Sequence, residues 1–214
     1  MVDLPTQKVL ETIQFLSKMA GPGPTPVYTQ VHVSRTLLCI GDEGPIGRIE
    51  LSRKVGLGEG AVRTVIRHLV KAKVVATERD GCVLTPRGLN LYRILRLKLS
   101  KPYAINARQL ALDKASAAVL VKGVAGSVKR GIEQRDAAVR AGATGACTLI
   151  FRSGKLFMPM GEQGEWALGL NELLFQEIQQ AFTPGNNDVI TIASAPTAEM
   201  AEHCVIAAAL TLIP

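Results

Sequence analysis

Aromatic side chains and cysteines are scarce in this sequence. Phe, Trp and Tyr together make up 4% of the 214 residues, and a protein that binds single-stranded nucleic acid by base stacking needs several such rings on one face. The four cysteines lie far apart, with no C-x-x-C pair and no matching histidine spacing. We therefore expect neither a base-stacking platform nor a zinc or other metal site.

Long hydrophobic runs are also missing. The longest apolar run near the C-terminus, Val205 to Ile213, is far shorter than the roughly 20 residues that a membrane-spanning helix requires. The N-terminus contains Asp3 and Glu11 and has no apolar core of the secretory type. These features predict a cytoplasmic protein with free thiols and no membrane partner.

Positive charge is concentrated in the first half of the chain. The net charge is +7, and residues 1–100 contain 15 of the 25 Lys and Arg but 8 of the 18 Asp and Glu, which is again +7. Residues 156–214 carry 7 acidic residues and no Lys or Arg. With 47% hydrophobic residues the chain can form a core, and the asymmetry is typical of a polyanion-binding module joined to a different module.

We predict four segments along the chain. Residues 1–27 comprise a helix, Thr6 to Ala20, and a break at Gly21 to Pro26 that is rich in proline and glycine. Residues 28–98 form a first domain, 99–113 a linker, and 114–214 an α/β domain for ligand sensing or dimerisation. The N-terminal helix fits either a dimerisation arm or a helix that packs on its own domain.

Two helices joined by a tight turn dominate the first domain. Gly47 to Val55 predicts a short helix, with Ile49, Leu51 and Val55 along one side, and Glu59 to Lys71 predicts a longer one after the turn Gly56-Leu57-Gly58. The longer helix has an apolar stripe and an outward, mostly basic face. The stripe contains Val62, Val65, Ile66, Leu69 and Val70, and the outward face contains Glu59, Arg63, Thr64, Arg67, His68 and Lys71. Of these, we expect His68 to be a partly buried, hydrogen-bonded histidine rather than a base-contacting residue.

This pair resembles the helix-turn-helix family. The resemblance rests on apolar positions in both helices, on the small Ser52, and on Gly56 followed by apolar Leu57. Two strand-like runs follow, Val74 to Glu78 and Cys82 to Leu84, joined by Arg79-Asp80-Gly81. A Leu-Thr-Pro-Arg-Gly stretch, residues 84–88, comes next. Together, residues 28–98 resemble winged-helix transcriptional regulators.

The resemblance implies a sequence-specific, double-stranded-DNA-binding transcriptional regulator that acts as a homodimer. By the same resemblance, residues on the second helix contact bases, and cations around it contact DNA phosphates or form the wing. The candidate base-contacting residues are Glu59, Gly60, Arg63, Thr64 and Arg67, and the candidate phosphate-contacting residues are Arg53, Lys54, Lys71 and Arg79. A winged helix that binds a protein partner is an alternative.

The second half alternates strand and helix signals in the order β-α-β-β-α-β-α, which predicts a mixed sheet covered by helices, so the fold class is α/β (α+β). Two of its segments, the polar stretch at residues 131–136 (GIEQRD) and the glycine-rich turn at residues 142–146 (GATGA), resemble an uncharacterised domain of archaeal winged-helix proteins. The loop from Gly123 to Gly131 follows a strand, but Ile132 and Glu133 occupy the places of Lys and Ser or Thr in a phosphate-binding loop.

This loop and the next helix predict a small-molecule effector site, or a cofactor-binding or enzymatic domain as an alternative. The candidate effector-binding residues are Gly126, Ser127, Lys129, Arg130, Glu133, Arg135 and Asp136. The sequence brings no nucleophile, base and metal ligands together. We therefore expect no enzyme activity, no catalytic residues and no cofactor beyond an unidentified effector.

Overall fold

The computed structural model describes residues 4–18, 27–110, 115–159, 165–167 and 172–213. The chain divides into two compact units, Met1–Leu95 (unit 1) and Arg96–Pro214 (unit 2). Helices and two antiparallel sheets make this an α/β protein. The predicted break at Gly21 to Pro26 lies outside the described residues.

Unit 1 consists mainly of helices followed by a hairpin. Its elements are α1 (Leu4–Ser17), α2 (Gln30–Glu43), α3 (Arg48–Val55), α4 (Glu59–Lys71), β1 (Val75–Glu78), β2 (Gly81–Leu84) and most of α5 (Pro86–Lys98). In α1, the apolar residues at three- and four-residue spacing, Val9, Leu10, Ile13 and Leu16, are buried, and the helix contacts α2 and α4. Helix α1 therefore packs on its own unit, which is one of the two arrangements that the sequence left open.

The β1–β2 hairpin has a two-residue loop, Arg79 and Asp80, because Glu78 pairs with Gly81. The sequence placed Gly81 in the turn, but it belongs to β2 and has a φ of 143°. A Cβ atom on Gly81 would lie 2.7 Å from the main chain of Ile46, which exchanges hydrogen bonds of 3.1 and 2.9 Å with Cys82. Glycine is needed here because another main-chain segment passes so close.

Unit 2 is built around a six-stranded sheet. Its elements are β3 (Tyr103–Ala104), β4 (Ala115–Val121), α6 (Ile132–Arg140), β5 (Gly145–Arg152), β6 (Lys155–Pro159), β7 (Glu165–Ala167), α7 (Glu172–Phe182), β8 (Asp188–Ala195) and α8 (Ala198–Leu210). The strands lie in the order β3-β4-β8-β5-β6-β7. Thr197 caps α8 as its sequence position predicts, since its hydroxyl accepts the N–H of Met200 at 3.3 Å.

The prediction of a mixed sheet is wrong, because every strand pairing among the described residues is antiparallel. Strands β4 and β5 run in the same direction and are connected through α6, as the β-α-β order suggested. However, β8 lies between them and pairs antiparallel with both. The sequence pattern shows the connection between two strands but not which strand is inserted between them.

Helices cover both faces of the sheet. On one face, Leu174 and Ile178 of α7 join a buried cluster with strand residues, among them Leu120, Leu149 and Ile190. Helix α8 packs on β4, β8 and α6, and the residues that alternate with the first set point to that opposite face. Helix α6 therefore has one side against α8 and β5 and the other side exposed.

The segment predicted as a linker, 99–113, is part of unit 2 as far as it is described, up to residue 110. Leu99 forms a bridge to Val121, Tyr103 and Ala104 pair with β4, and the N–H of Ile105 donates to Ser116 at 3.1 Å. This segment provides the hydrogen-bonding partners that the outer edge of β4 requires. A two-residue strand is too short to give a periodic signal in the sequence.

Candidate nucleic-acid interface

The turn between α3 and α4 is fixed by main-chain and side-chain hydrogen bonds. Gly56 ends α3 in the left-handed conformation, with φ 71° and ψ 32°, which glycine adopts without strain. The N–H of Leu57 donates to the carbonyl of Ser52 at 3.1 Å, and the Ser52 hydroxyl donates to the carbonyl of Leu57 at 2.5 Å. The two helices are thus held by a reciprocal pair of bonds across the turn.

Helix α4 has one fully buried face and one exposed face. Val62, Val65 and Leu69 are at most 1% exposed and form part of the core of unit 1. Gly60, Arg63 and Arg67 are exposed on the other side, and the two arginines follow each other at a rise of about 6 Å per four residues. Burial of the apolar face therefore aims both guanidinium groups into solvent.

The remaining base-contact candidates lie near the start of the same helix. Glu59 is exposed in the first turn, where a carboxylate interacts favourably with the helix dipole. Thr64 is partly buried, and its hydroxyl donates to the carbonyl of Gly60 at 3.2 Å. The Thr64 oxygen therefore keeps accepting capacity but uses its proton within the helix.

Among the four phosphate-contact candidates, Arg53, Lys71 and Arg79 are exposed. Lys54 differs, because its Nζ lies 2.9 Å from Glu43 and 3.9 Å from Glu50. The hydrogen bond to Glu43 raises the pKa of Lys54. Lys54 is therefore paired within its own unit, through a contact that spans 11 residues of sequence.

Three residues of the helix pair lie on the opposite side from that predicted by helical spacing alone. Ile49 is 73% exposed instead of packing with Leu51 and Val55, and Val70 is 39% exposed. His68, which helical spacing alone places outward, is buried, which agrees with its interpretation as a hydrogen-bonded histidine. Each lies at the margin of an apolar stripe, where packing by other elements, rather than helical spacing, decides which side chains are covered.

Arg48, at the start of α3, is a further exposed cation that the sequence argument did not include.

The buried His68 ties α4 to the segments before it. Its Nδ1 lies 3.0 Å from the Tyr28 hydroxyl, the two rings meet edge to face, and the ring also hydrogen-bonds to the backbone of Leu16 in α1. Burial, and to a smaller extent Arg67, lower the pKa of His68. The imidazole is therefore neutral at physiological pH, and the positive charge of α4 remains on its outer face.

In unit 2 the structure brings four of the effector-site candidates together. Lys129, Arg130, Glu133 and Asp136 line an open groove of about 580 Å³ along α6. Four residues that the sequence argument did not include, Ile132, Ala137, Arg140 and Thr211, complete the lining. Thr211 follows α8 and is more than 70 residues away in sequence, so no local motif could have found it.

The other three effector candidates do not line this groove. Gly126 and Ser127 lie in a short 3-10 turn, Ala125–Ser127, and α6 begins only at Ile132. Arg135 is not part of the lining and forms an ion pair of 3.0 Å with Asp136, which is part of it. The late start of α6 has a local cause: Gly131 has a φ of 73°, and this left-handed residue separates the loop from the helix.

Among the described residues, no group of three or more His, Cys, Asp or Glu side chains could hold a metal ion. The same part of the chain contains no helix that is both long and apolar enough to cross a membrane.

Residues 112–212, just under half of the chain, match the model of a protein family described as a domain of unknown function, DUF4443. This match coincides with unit 2 from β4 onward. No curated protein matches the chain.

The chain is similar in structure to the hypothetical protein PH0730 from Pyrococcus horikoshii OT3. The two are 24% identical with a TM-score of 0.66, and the comparison covers 86% of this chain and 92% of that one. The similarity extends over both units, and it is a similarity of fold.

Proposed function

We propose that this protein is a sequence-specific, double-stranded-DNA-binding transcriptional regulator, in which unit 1 is a winged-helix domain and α4 is the recognition helix. The observation that carries the proposal is the outer face of α4. Gly60, Arg63 and Arg67 are exposed there, while the opposite face is buried. A helix held in this way can enter a groove without unfolding any part of its own unit.

The dimensions and chemistry of this face suit the major groove. An α-helix with its side chains is about 10–12 Å across, and the major groove of B-DNA is about 12 Å wide. Arginine binds the O6 and N7 atoms of guanine with two hydrogen bonds, which gives Arg63 and Arg67 the role of reading sequence. Exposed Arg53, Lys71 and Arg79 would then contact phosphates, which position the protein without reading bases.

The net charge around the helix pair supports the same function. Residues 46–98 contain 12 Lys and Arg against 4 Asp and Glu, a balance of +8. Such an excess attracts a polyanion over distances of about one Debye length, near 8 Å at physiological salt. We further propose that the protein acts in the cytoplasm as a homodimer on two half-sites about 34–36 Å apart, with unit 2 sensing a small-molecule effector.

The test is selection of genomic DNA fragments by the purified full chain at physiological salt, followed by titration of the enriched site. The Arg63→Ala/Arg67→Ala variant is compared with Arg108→Ala/Lys122→Ala, which removes the same charge at two exposed cations outside residues 46–98. Loss of two arginine–base contacts is expected to weaken specific binding by roughly 100-fold or more. The control variant is expected to bind within about threefold of the wild type.

Salt dependence separates base contacts from phosphate contacts. Replacing a phosphate-contacting cation lowers the slope of log K against log salt by about 1 and weakens all sequences equally. A base contact instead changes the preference among sequences. If the wild type enriches no site, or if both double variants bind the enriched site equally, α4 is not a recognition helix.

The exposed side chain of Ile49 favours a second candidate function, in which the winged helix binds a protein partner. Ile49 is 73% exposed on α3, and an apolar side chain beside a basic face is more useful against protein than against phosphates. This candidate predicts weak, sequence-indifferent DNA binding in the selection above. It also predicts that Ile49→Ser abolishes a protein complex while leaving DNA binding unchanged.

A further inference from the structure

The groove along α6 in unit 2 is large enough to bind a small metabolite. Its volume of about 580 Å³ lies within the roughly 300–1,000 Å³ of small-molecule sites. The lining comes from the residues just before α6, from the outer side of that helix, and from Thr211 after α8. One wall is thus a regular helix, which holds its side chains at fixed spacing.

The charges of the lining favour an anion. Lys129, Arg130 and Arg140 provide three cations against the carboxylates of Glu133 and Asp136, a balance of 3 − 2 = +1. Asp136 is already compensated, because Arg135, which lies outside the lining, donates to its Oδ1 at 3.0 and 3.2 Å. Glu133 is therefore the carboxylate of the lining that shares the groove with Lys129 and Arg140 without being paired to Arg135.

Apart from its carboxylates, the lining offers a ligand hydrogen-bond donors on its cationic side chains. The Thr211 hydroxyl donates to the carbonyl of Ala208 at 2.7 Å and accepts from Gln134 at 2.8 Å, so Thr211 shapes the wall but offers no proton to a ligand. The Arg140 Nε donates to the main-chain carbonyl of Asp136 at 3.1 Å, so the donors that a ligand can use include the terminal N–H groups of Arg140 and the ammonium group of Lys129. Arginine and lysine bind phosphate and carboxylate oxygens through charge-assisted hydrogen bonds.

The presence of Glu133 in the lining further restricts the chemical class of the ligand. The Glu133 carboxylate repels a bare anion but accepts hydrogen bonds from hydroxyl groups. The lining contains no aromatic ring, and Ile132 and Ala137 are its apolar members, so a nucleobase would have nothing to stack on. A small anion that also carries hydroxyl groups satisfies both the cations and Glu133.

We propose that this groove binds a small hydroxylated organic polyanion, with its phosphate or carboxylate groups on Lys129 and Arg140 and a hydroxyl group on Glu133. The ligand's role as an effector rests on the proposed regulatory function, whereas the binding itself does not. This site includes four of the seven effector-site residues that the sequence predicted, and it lies along α6 rather than at the loop residues Gly126 and Ser127.

Isothermal titration calorimetry of the full chain without DNA tests the site. The probes are fructose 1,6-bisphosphate and citrate, which offer phosphate and carboxylate groups respectively, with inorganic phosphate and neutral fructose for comparison. We expect saturable binding of one molecule per chain for at least one of the two polyanions, tighter than for inorganic phosphate, and no binding of fructose. Which polyanion binds identifies the anionic group.

Matched variants separate the groove from general attraction to a basic protein. Lys129→Gln and Arg140→Gln are expected to weaken binding about 10-fold each, because each removes a charge-assisted hydrogen bond. Lys122→Gln removes an exposed lysine of the same unit outside the lining and is expected to leave the affinity within twofold. Glu133→Gln is expected to reduce the preference for the hydroxylated ligand over inorganic phosphate.

Three outcomes would overturn the proposal: no saturable binding of either polyanion at millimolar concentration, equal loss in Lys122→Gln and Lys129→Gln, or an unchanged affinity in Arg140→Gln. The four substituted side chains, Lys122, Lys129, Glu133 and Arg140, are all exposed, and circular dichroism with thermal melting verifies that each variant is folded.

Titration of DNA with and without the bound ligand is a separate measurement. Ligand binding without any DNA binding rejects the regulator and keeps the site, whereas DNA binding without ligand binding does the reverse.

Discussion

Ser52 and Leu57 hold each other across the turn between α3 and α4. The Ser52 hydroxyl donates to the Leu57 carbonyl at 2.5 Å, and the Leu57 N–H donates to the Ser52 carbonyl at 3.1 Å. This pair sets the angle at which α4 leaves the turn, and therefore the direction in which Arg63 and Arg67 point. The small side chain of Ser52 allows α3 and α4 to approach each other, and its hydroxyl group forms the hydrogen bond that closes the turn between them.

The first prediction concerns this bond. Ser52→Ala is expected to destabilise the protein by about 1–2 kcal/mol, because the partly buried Leu57 carbonyl loses its side-chain donor. Ser17→Ala is the matched control: its hydroxyl also donates to a main-chain carbonyl, that of Gln14, but in an exposed position, so water replaces it at a cost below about 0.5 kcal/mol. Urea denaturation measures both, and equal losses in the two variants would show that the Ser52 bond does not stabilise the turn.

The second prediction contrasts two glycines in the first turns of helices. A Cβ atom on Gly88 of α5 would collide with the carbonyl oxygen of Val74, whereas a Cβ atom on Gly60 of α4 would meet nothing within 4 Å. Gly88→Ala is therefore expected to cost about 1–3 kcal/mol through overpacking. Gly60→Ala is expected to stabilise the helix by about 0.5–1 kcal/mol.

Thermal melting measures both glycine variants, and Gly60→Ala has a second readout. If Gly60 allows close approach of DNA to the start of α4, the more stable Gly60→Ala variant binds the selected site more weakly. A variant that is stabilised and binds DNA unchanged would show that no ligand comes close at Gly60.

The third prediction is a pH dependence of stability that His32 causes. The Nδ1 atom of His32 accepts the N–H of Thr29 at 3.1 Å at the start of α2, which requires this nitrogen to be unprotonated. Burial, followed by the charge of Arg35, lowers the pKa of His32 to about 4 from the ordinary 6.5. The folded state thus binds fewer protons than the unfolded state between these two values.

The stabilisation from neutral His32 is therefore complete above pH 6.5 and is lost as the pH falls through about 4. His32→Gln is expected to flatten this dependence, because glutamine at the third helical position can accept the same N–H without titrating. Denaturation curves from pH 7 to pH 4.5 provide the measurement. His68, whose pKa is lowered too, contributes in the same direction and remains in the variant, so identical slopes in wild type and His32→Gln would contradict the role of His32.

The fourth prediction concerns the contact between Tyr28 and α4. Tyr28→Phe removes the hydroxyl group that lies 3.0 Å from His68 Nδ1 and is expected to cost about 1–2 kcal/mol, since it leaves a buried ring nitrogen without this partner. Tyr103→Phe serves as the control at a ring that is 43% exposed, with an expected change below about 0.5 kcal/mol. A similar change in both variants would show that the Tyr28 hydroxyl contributes nothing specific.

Local patterns in the sequence predicted much of unit 1. The bounds of α4, Glu59 to Lys71, are those of the structure, because its apolar residues recur at helical spacing over more than three turns and Gly58 precedes it. The pattern did less well at the margins of its stripes: Ile49 and Val70 are exposed and His68 is buried. Helical spacing gives the direction of a side chain, whereas its burial depends on whether another element covers that direction.

By itself, the sequence determined most of the order of helices and strands, the tight turn at Gly56, and the concentration of positive charge in the first half, because these depend on neighbouring residues or on composition alone. It did not show the two short strands β3 and β7. Only the tertiary structure decided that β8 separates β4 from β5, that Lys54 pairs with Glu43, that Gly88 lies against Val74, and that Thr211 joins the groove of α6. Each of these brings together residues that are distant along the chain. Such contacts depend on how elements pack, and local propensity carries no information about them.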